Sequence, residues 1–148
     1  MKKLITLSLI ALIVTSCSSI QDKKEKSNAQ VVVDFYDMAF NKHKPKLAAD
    51  TYIGDKYIQH NPYVPNGAKP FYGYFTGYFK KNPDSSASIK RVVSQGDLVM
   101  IHVHSKQNEK DKGKAIVDIF RLENGKIVEH WDVIQEVKTD TASGNSMF

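Results

Sequence analysis

The chain has a single cysteine, Cys17, which excludes an internal disulfide framework and any multi-cysteine zinc site. It has no apolar run near the about 20 residues that a permanent membrane helix requires. No basic stretch is interleaved with aromatic residues, so nothing marks a nucleic-acid surface. The charge excess is slight: the formal +5 falls to +3 once Lys2 and Lys3 are set aside with the leader described next. No internal repeat is evident, which excludes a solenoid. What remains is 148 residues, 41% hydrophobic and 25% charged, enough for one globular domain.

The first residues read as an address. Met1-Lys2-Lys3 is a short positive region, and Leu4 to Val14 is apolar apart from Thr6 and Ser8. This fits a secretory signal peptide. Val14-Thr15-Ser16-Cys17 then resembles a bacterial lipobox, in which the cysteine is lipidated and becomes the new N-terminus. The plainer alternative is a signal peptide cut near Ser16. Acyl chains on Cys17 would anchor the protein at about 0.8 kcal/mol per buried methylene. Ser18 is not Asp, which by the sorting rule of enteric bacteria points to the outer membrane. The organisation expected is a leader over 1–17, a flexible polar tether over 18–28 and one domain over 29–148.

Along the domain, apolar residues at three- and four-residue spacing predict a helix over Ala29 to Asn41, with Asn28 as its N-cap. Pro45 starts a short second helix from Lys44 to Asp50, and Lys56 to His60 is a short extended piece stopped by Asn61-Pro62. Phe71, Tyr74, Phe75, Tyr78 and Phe79 place a third helix over Lys69 to Lys81. Four strands follow: Ser86 to Ser94, Leu98 to Gln107, Lys114 to Leu122 and Lys126 to Val137, the last two joined by Asn124-Gly125, a strong hairpin signal. Helices first and an antiparallel meander after them predict an α+β fold, with helices on one face of a curved sheet.

Strand side chains alternate between faces. His102 and His104 share a face with Met100, opposite Val99, Ile101 and Val103. Asp118 shares a face with Ile116 and Phe120. His130 and Asp132 share one with Val128 and Ile134, opposite Glu129, Trp131 and Val133. Three neighbouring strands thus carry ionisable groups among apolar residues, where a buried carboxylate needs a partner. Facing histidines and carboxylates would supply it and set up an acid/base pocket, which His60 would join. Trp131 and the aromatic stripe of the third helix read as core or pocket wall, and Glu129 with Arg121 as a cross-strand ion pair.

Several segments resemble the SnoaL-like branch of the nuclear transport factor 2-like superfamily. They are Tyr57-Ile58-Gln59-His60-Asn61-Pro62, Gly96-Asp97-Leu98-Val99, the strand with His102 and His104, Asp118-Ile119-Phe120-Arg121, and Gly125 through Glu129-His130-Trp131-Asp132. The terminal Asn145-Ser146-Met147-Phe148 is similar as well, so the likeness runs from Ala29 to Phe148. It implies a cone, a bent mixed or antiparallel sheet around a long helix with a deep cavity (the cystatin-like α+β barrel). SnoaL-type enzymes are polyketide cyclases that close a ring by intramolecular aldol condensation without metal or organic cofactor. Their essential aspartate matches Asp132, and His102 or His104 corresponds to supporting pocket histidines. The lipoprotein signal sets this chain apart from intracellular polyketide tailoring enzymes.

The resemblance gives a set of expectations. Asp132 is the candidate base, His104 or His102 the donor, and Asp118 the group that orients a histidine. His60 and His130 are donor alternatives. Tyr57, Asn61, Phe71, Tyr74, His130 and Trp131 are expected around the pocket. The partners implied are a small apolar or carbonyl-containing ligand, the membrane through Cys17, and a second copy through an outer sheet patch of Val99, Ile127 and Val133; no nucleic acid is implied. Two other readings stand beside the enzyme: a binding module that holds an apolar ligand, and a metal site from His102-X-His104 completed by His60 or Asp118.

Overall fold

The computed structural model describes residues 26–148. The leader, the lipidation candidate Cys17 and the tether as far as residue 25 lie outside the described residues. The folded domain begins slightly before the expected boundary. Ser27, rather than Asn28, is the N-cap of α1 (Asn28–Tyr36), its side chain accepting a hydrogen bond from the Gln30 amide.

The helix continues beyond Tyr36 as a π-helical turn, Asp37–Asn41. This turn aims Asn41 at the sheet. Its side-chain NH2 donates to the Ala87 carbonyl at 3.1 Å and its oxygen accepts from the Ala87 amide at 2.9 Å, as a neighbouring strand would. After α2 (Pro45–Tyr52) the chain enters β1 (Ile53–Gln59). Then α3 (Ala68–Lys81) leads into β2 (Ser86–Gln95), β3 (Leu98–Lys106), β4 (Lys114–Glu123) and β5 (Lys126–Glu136). Asn124 and Gly125 both have positive φ, 49° and 70°, as a two-residue hairpin of this hand requires.

The sheet order is β1-β5-β4-β3-β2. The last four strands are an antiparallel meander, and β1 joins it parallel to β5, so the sheet is mixed. The helices bury their stripe against one face. Val32, Phe35 and Ala39 from the first helical segment meet Val99, Ile101 and Val103 from β3 and Phe120 from β4 in one core cluster. Phe35 sits among the rings of Tyr52, Phe71 and Phe120.

The other face of the sheet looks outward. It carries Met100 and Val133, the latter 68% exposed, but not Val99 or Ile127, which are fully buried in the core. The patch expected from those two residues is therefore not on the surface. For Val99 the inner face is simply the more continuously aliphatic one. For Ile127 an irregularity in the β4–β5 register after Arg121 breaks the alternation, so Ile127 and Val128 are both buried.

Gly113 ends the loop between β3 and β4 with φ +82°, and a Cβ there would collide with the Ser105 carbonyl and lie 2.9 Å from His104 Nε2. Gly113→Ala combines a left-handed backbone with this clash. It is expected to cost about 2 kcal/mol or more, read as a lowered midpoint in urea unfolding. An unchanged midpoint would show that the loop has another conformation open to it.

Candidate functional site

A cavity of about 940 Å³ opens between the helices and the concave side of the sheet. The β4–β5 register arranges its sheet wall in tiers. Phe120 faces His130, Asp118 faces Asp132, Ile116 faces Ile134, and Lys114 faces Glu136, and all eight residues line the cavity. At about 3.4 Å per strand residue, the ionisable tier of Asp118 and Asp132 lies ~14 Å in from Lys114. An apolar belt separates the two. Phe40, Phe71, Tyr74, Phe75, Tyr78 and Phe79 form much of the helical wall.

The innermost polar tier is a connected network whose donors are fixed by backbone amides. Gln59 Oε1 accepts from the Asn61 amide N–H at 3.0 Å, and the same oxygen lies 2.8 Å from His130 Nδ1. An oxygen that already accepts from a backbone amide can only accept again, so Nδ1 carries hydrogen. His130 Nε2 then faces Asp118 Oδ1 at 2.9 Å. Two bare acceptors do not sit at that separation, so one proton lies between imidazole and carboxyl. Tyr36 closes the network by donating its hydroxyl to Asp118 Oδ2 at 2.9 Å. Burial first, and the Asp118 charge second, hold the Tyr36 phenol well above its ordinary value, so it remains a donor.

Asp132 stands beside this pair with a neutral partner. Asn61 Nδ2 donates to its two oxygens at 3.0 and 2.7 Å, and the Tyr63 amide, donating to Asn61 Oδ1 at 2.9 Å, fixes which way the Asn61 side chain points. The carboxylate is therefore oriented without an ion pair among the described residues. Ligand-type atoms of Asp118, His130 and Asp132 all lie within 4.8 Å of one another. Such a group can exchange protons with one small molecule. These three are also the described residues placed to hold a cation, against the competition of the Tyr36 and Asn61 donors.

Of the residues singled out from sequence, Asp132, Asp118, His130, Tyr57, Asn61, Phe71 and Tyr74 lie on the cavity. His102 and His104 do not. They sit on the outer face of β3, where both rings stack on Phe148 at 5.3 and 4.3 Å. His102 Nδ1 accepts from Arg91 and His104 Nε2 donates to the Lys112 carbonyl. The face opposite them, Val99, Ile101 and Val103, is the buried one. His60 and Trp131 are outside as well, stacked at 4.6 Å. His60 Nε2 lies 2.9 Å from Glu129 Oε1, and Arg121 Nε donates to Glu129 Oε2 at 2.7 Å, which is the cross-strand ion pair expected from the register. Hydrogen bonds from His60 and Arg121 hold the Glu129 carboxyl below its ordinary value. The metal set drawn from His102-X-His104 is consequently not assembled.

Sequence reasoning missed Tyr36 and Gln59. Tyr36 was legible only as part of the first helix's aromatic stripe, although a buried tyrosine hydroxyl needs a polar partner. Gln59 falls between Tyr57 and Asn61 with the same strand parity, which was the available signal.

Among the described residues, three helices and a mixed, curved five-stranded sheet around a cavity with paired carboxyl and imidazole groups define an α+β pocket protein. The chain belongs to the SnoaL-like polyketide cyclase family, whose model matches residues 30–142. TsrD from Streptomyces laurentii is similar in structure, with TM-score 0.60 and 20% identity over 72% of this chain and 87% of that one. A cystatin-fold protein from Novosphingobium aromaticivorans aligns with TM-score 0.62 and 17% identity, over 73% of this chain and 98% of its own. The fold is thus the NTF2-like, cystatin-like one. No curated protein matches the sequence at significance.

Proposed function

We propose that the domain is a cofactor-independent acid/base enzyme of the aldol-cyclase or isomerase type, acting on a small hydrophobic molecule that contains a carbonyl group. The observation that carries this reading is the 2.9 Å contact between His130 Nε2 and Asp118 Oδ1 beside the separately oriented carboxylate of Asp132. Asp132 takes a proton from the carbon next to the carbonyl, and Asn61 keeps its oxygens aimed. The His130–Asp118 pair, backed by Tyr36, supplies the proton that the developing oxyanion or the leaving oxygen needs. The aromatic wall and the Ile116–Ile134 belt exclude water from the new carbanion.

The competing reading is a binding module without catalysis. It would be favoured by an Asp132 neutralised in an ion pair, whereas its partner here is a neutral amide. The test is a set of aromatic ketones with an acidic neighbouring C–H, incubated with the protein in deuterium oxide and followed by proton NMR. Protein-dependent loss of the C–H signal supports the enzyme; ketones that bind in the cavity with no exchange support the binding module.

We further propose that the domain works in the bacterial cell envelope, tethered by acyl chains on Cys17. The support is the lipobox-like Val14-Thr15-Ser16-Cys17 and the polar segment after it. Labelled palmitate is expected to enter the protein in cells and to be lost in Cys17→Ala; labelling that survives the substitution would sink this placement.

A further inference from the structure

The proton inventory of the cavity leaves one group unused. Tyr57, on β1, is 4% exposed and lines the cavity, and among the described residues the Gln59 side chain is the one hydrogen-bonding neighbour of its hydroxyl. Every fully enclosed side-chain nitrogen or oxygen among the described residues does have a partner. For Tyr57 that partner is Gln59, and no described residue accepts the hydroxyl's own hydrogen. Its ring lies beside the His130 ring, 6.4 Å between centroids and 26° between planes. Its charge environment is set by the carboxyls of Asp118 and Asp132, which, after burial itself, hold the phenol above its ordinary value. The hydroxyl is thus kept protonated next to the acid/base tier.

The neighbouring Gln59 side chain decides which way that proton points. Its oxygen is taken by the Asn61 amide and His130 Nδ1, so only its NH2 is left to turn toward the Tyr57 oxygen. A phenol that receives from an amide has its own hydrogen to give away. A buried hydroxyl with an undirected hydrogen is costly unless a guest accepts it.

We propose that Tyr57 is the oxyanion donor of the site, giving its hydrogen bond to the carbonyl oxygen of the bound molecule while Asp132 removes the neighbouring proton. This deepens the acid/base reading and rests on it. In balance, the C–H electron pair becomes the enolate π bond, the carbonyl π pair moves to oxygen, and the proton passes to Asp132. The Tyr57 hydrogen bond shortens without transfer. The guest that suits this site has its carbonyl in the ionisable tier and an apolar body against α3.

The test uses 4-nitrophenol as a stand-in for the enolate, because its absorbance reports whether it binds as the phenol or the phenolate. Asp132→Asn imitates the protonated base, so the site then tolerates an anion. In Asp132→Asn, 4-nitrophenol is expected to bind as the phenolate. Adding Tyr57→Phe is expected to weaken binding about tenfold to hundredfold, the range for a hydrogen bond to a charged group, and to return the bound dye toward its neutral spectrum. Tyr57→Phe removes only the acceptor of one Gln59 N–H, so the thermal midpoint should fall by no more than a few degrees, and a merely structural role would not move the dye's ionisation. Equal affinity and an unchanged bound spectrum in the double variant overturn the Tyr57 assignment alone. Failure of the dye to bind in the cavity of any variant overturns the assignment together with the acid/base reading beneath it.

Discussion

Asp132→Asn is expected to lower the exchange rate of any ketone the protein turns over by about 10³-fold, the middle of the range for loss of a positioned general base. The substitution keeps the shape of the side chain. The Asn61 NH2 can still donate to the remaining carbonyl oxygen, so one of the two contacts at 3.0 and 2.7 Å survives. The fold is untouched for the same reason, and the thermal midpoint should stay within a few degrees. Asn61→Ala is the informative companion. It leaves the base in place but unaimed, so a smaller loss of about tenfold is expected in the same NMR assay. Full exchange in Asp132→Asn would transfer the base role to another group and undo the mechanism.

Asp118 carries the largest expected effect on stability. It accepts from Tyr36 and shares a proton with His130, and the two partners of the pair are 5% and 8% exposed. Asp118→Ala removes both contacts and strands a buried hydroxyl and a buried imidazole. Breaking such a pair from one side costs about 3–5 kcal/mol, to be read from urea unfolding. Asp118→Asn behaves differently. With His130 hydrogenated at Nδ1, its bare Nε2 can accept from the new NH2 while the amide oxygen accepts from Tyr36. Every polar atom is then satisfied without the shared proton. This variant is expected to remain within about 1 kcal/mol of the native stability, yet to lose the acid function. Equal destabilisation by Ala and Asn would show that the charge of Asp118, not its hydrogen bonding, holds the network together.

Much of the architecture was legible because local signals agreed with one another. Asn124-Gly125 fixed one hairpin, the aromatic spacing of Phe71 to Phe79 fixed α3, and alternation on β4 correctly grouped Asp118 with Ile116 and Phe120. Alternation divides a strand into two faces, however, and does not name the inner one. On β3 the two histidines point to their own face as the pocket, but the unbroken aliphatic series Val99, Ile101, Val103 has far more apolar surface to hide and goes inside. His60 misled for another reason. It follows β1 immediately, where pairing of Gln59 with His130 turns the next side chain to the outside, toward Glu129 and Trp131. Tyr36 and Gln59 escaped notice because their importance lies in partners 82 and 71 residues away, which periodicity within one element does not reveal.

The π-helical turn at Asp37–Asn41 has a consequence for the length of the chain. A regular helix through this stretch would need one residue fewer, so the same residues wound as a regular helix would carry Asn41 about 100° too far around the axis, the angle between successive helical residues. The amide that stands in for a sixth strand would then miss Ala87, and the free edge of β2 would lose its guard. Substitutions that favour regular winding over these five positions should therefore unfasten the edge of the sheet, because here a single extra amino acid works as the clasp between helix and sheet.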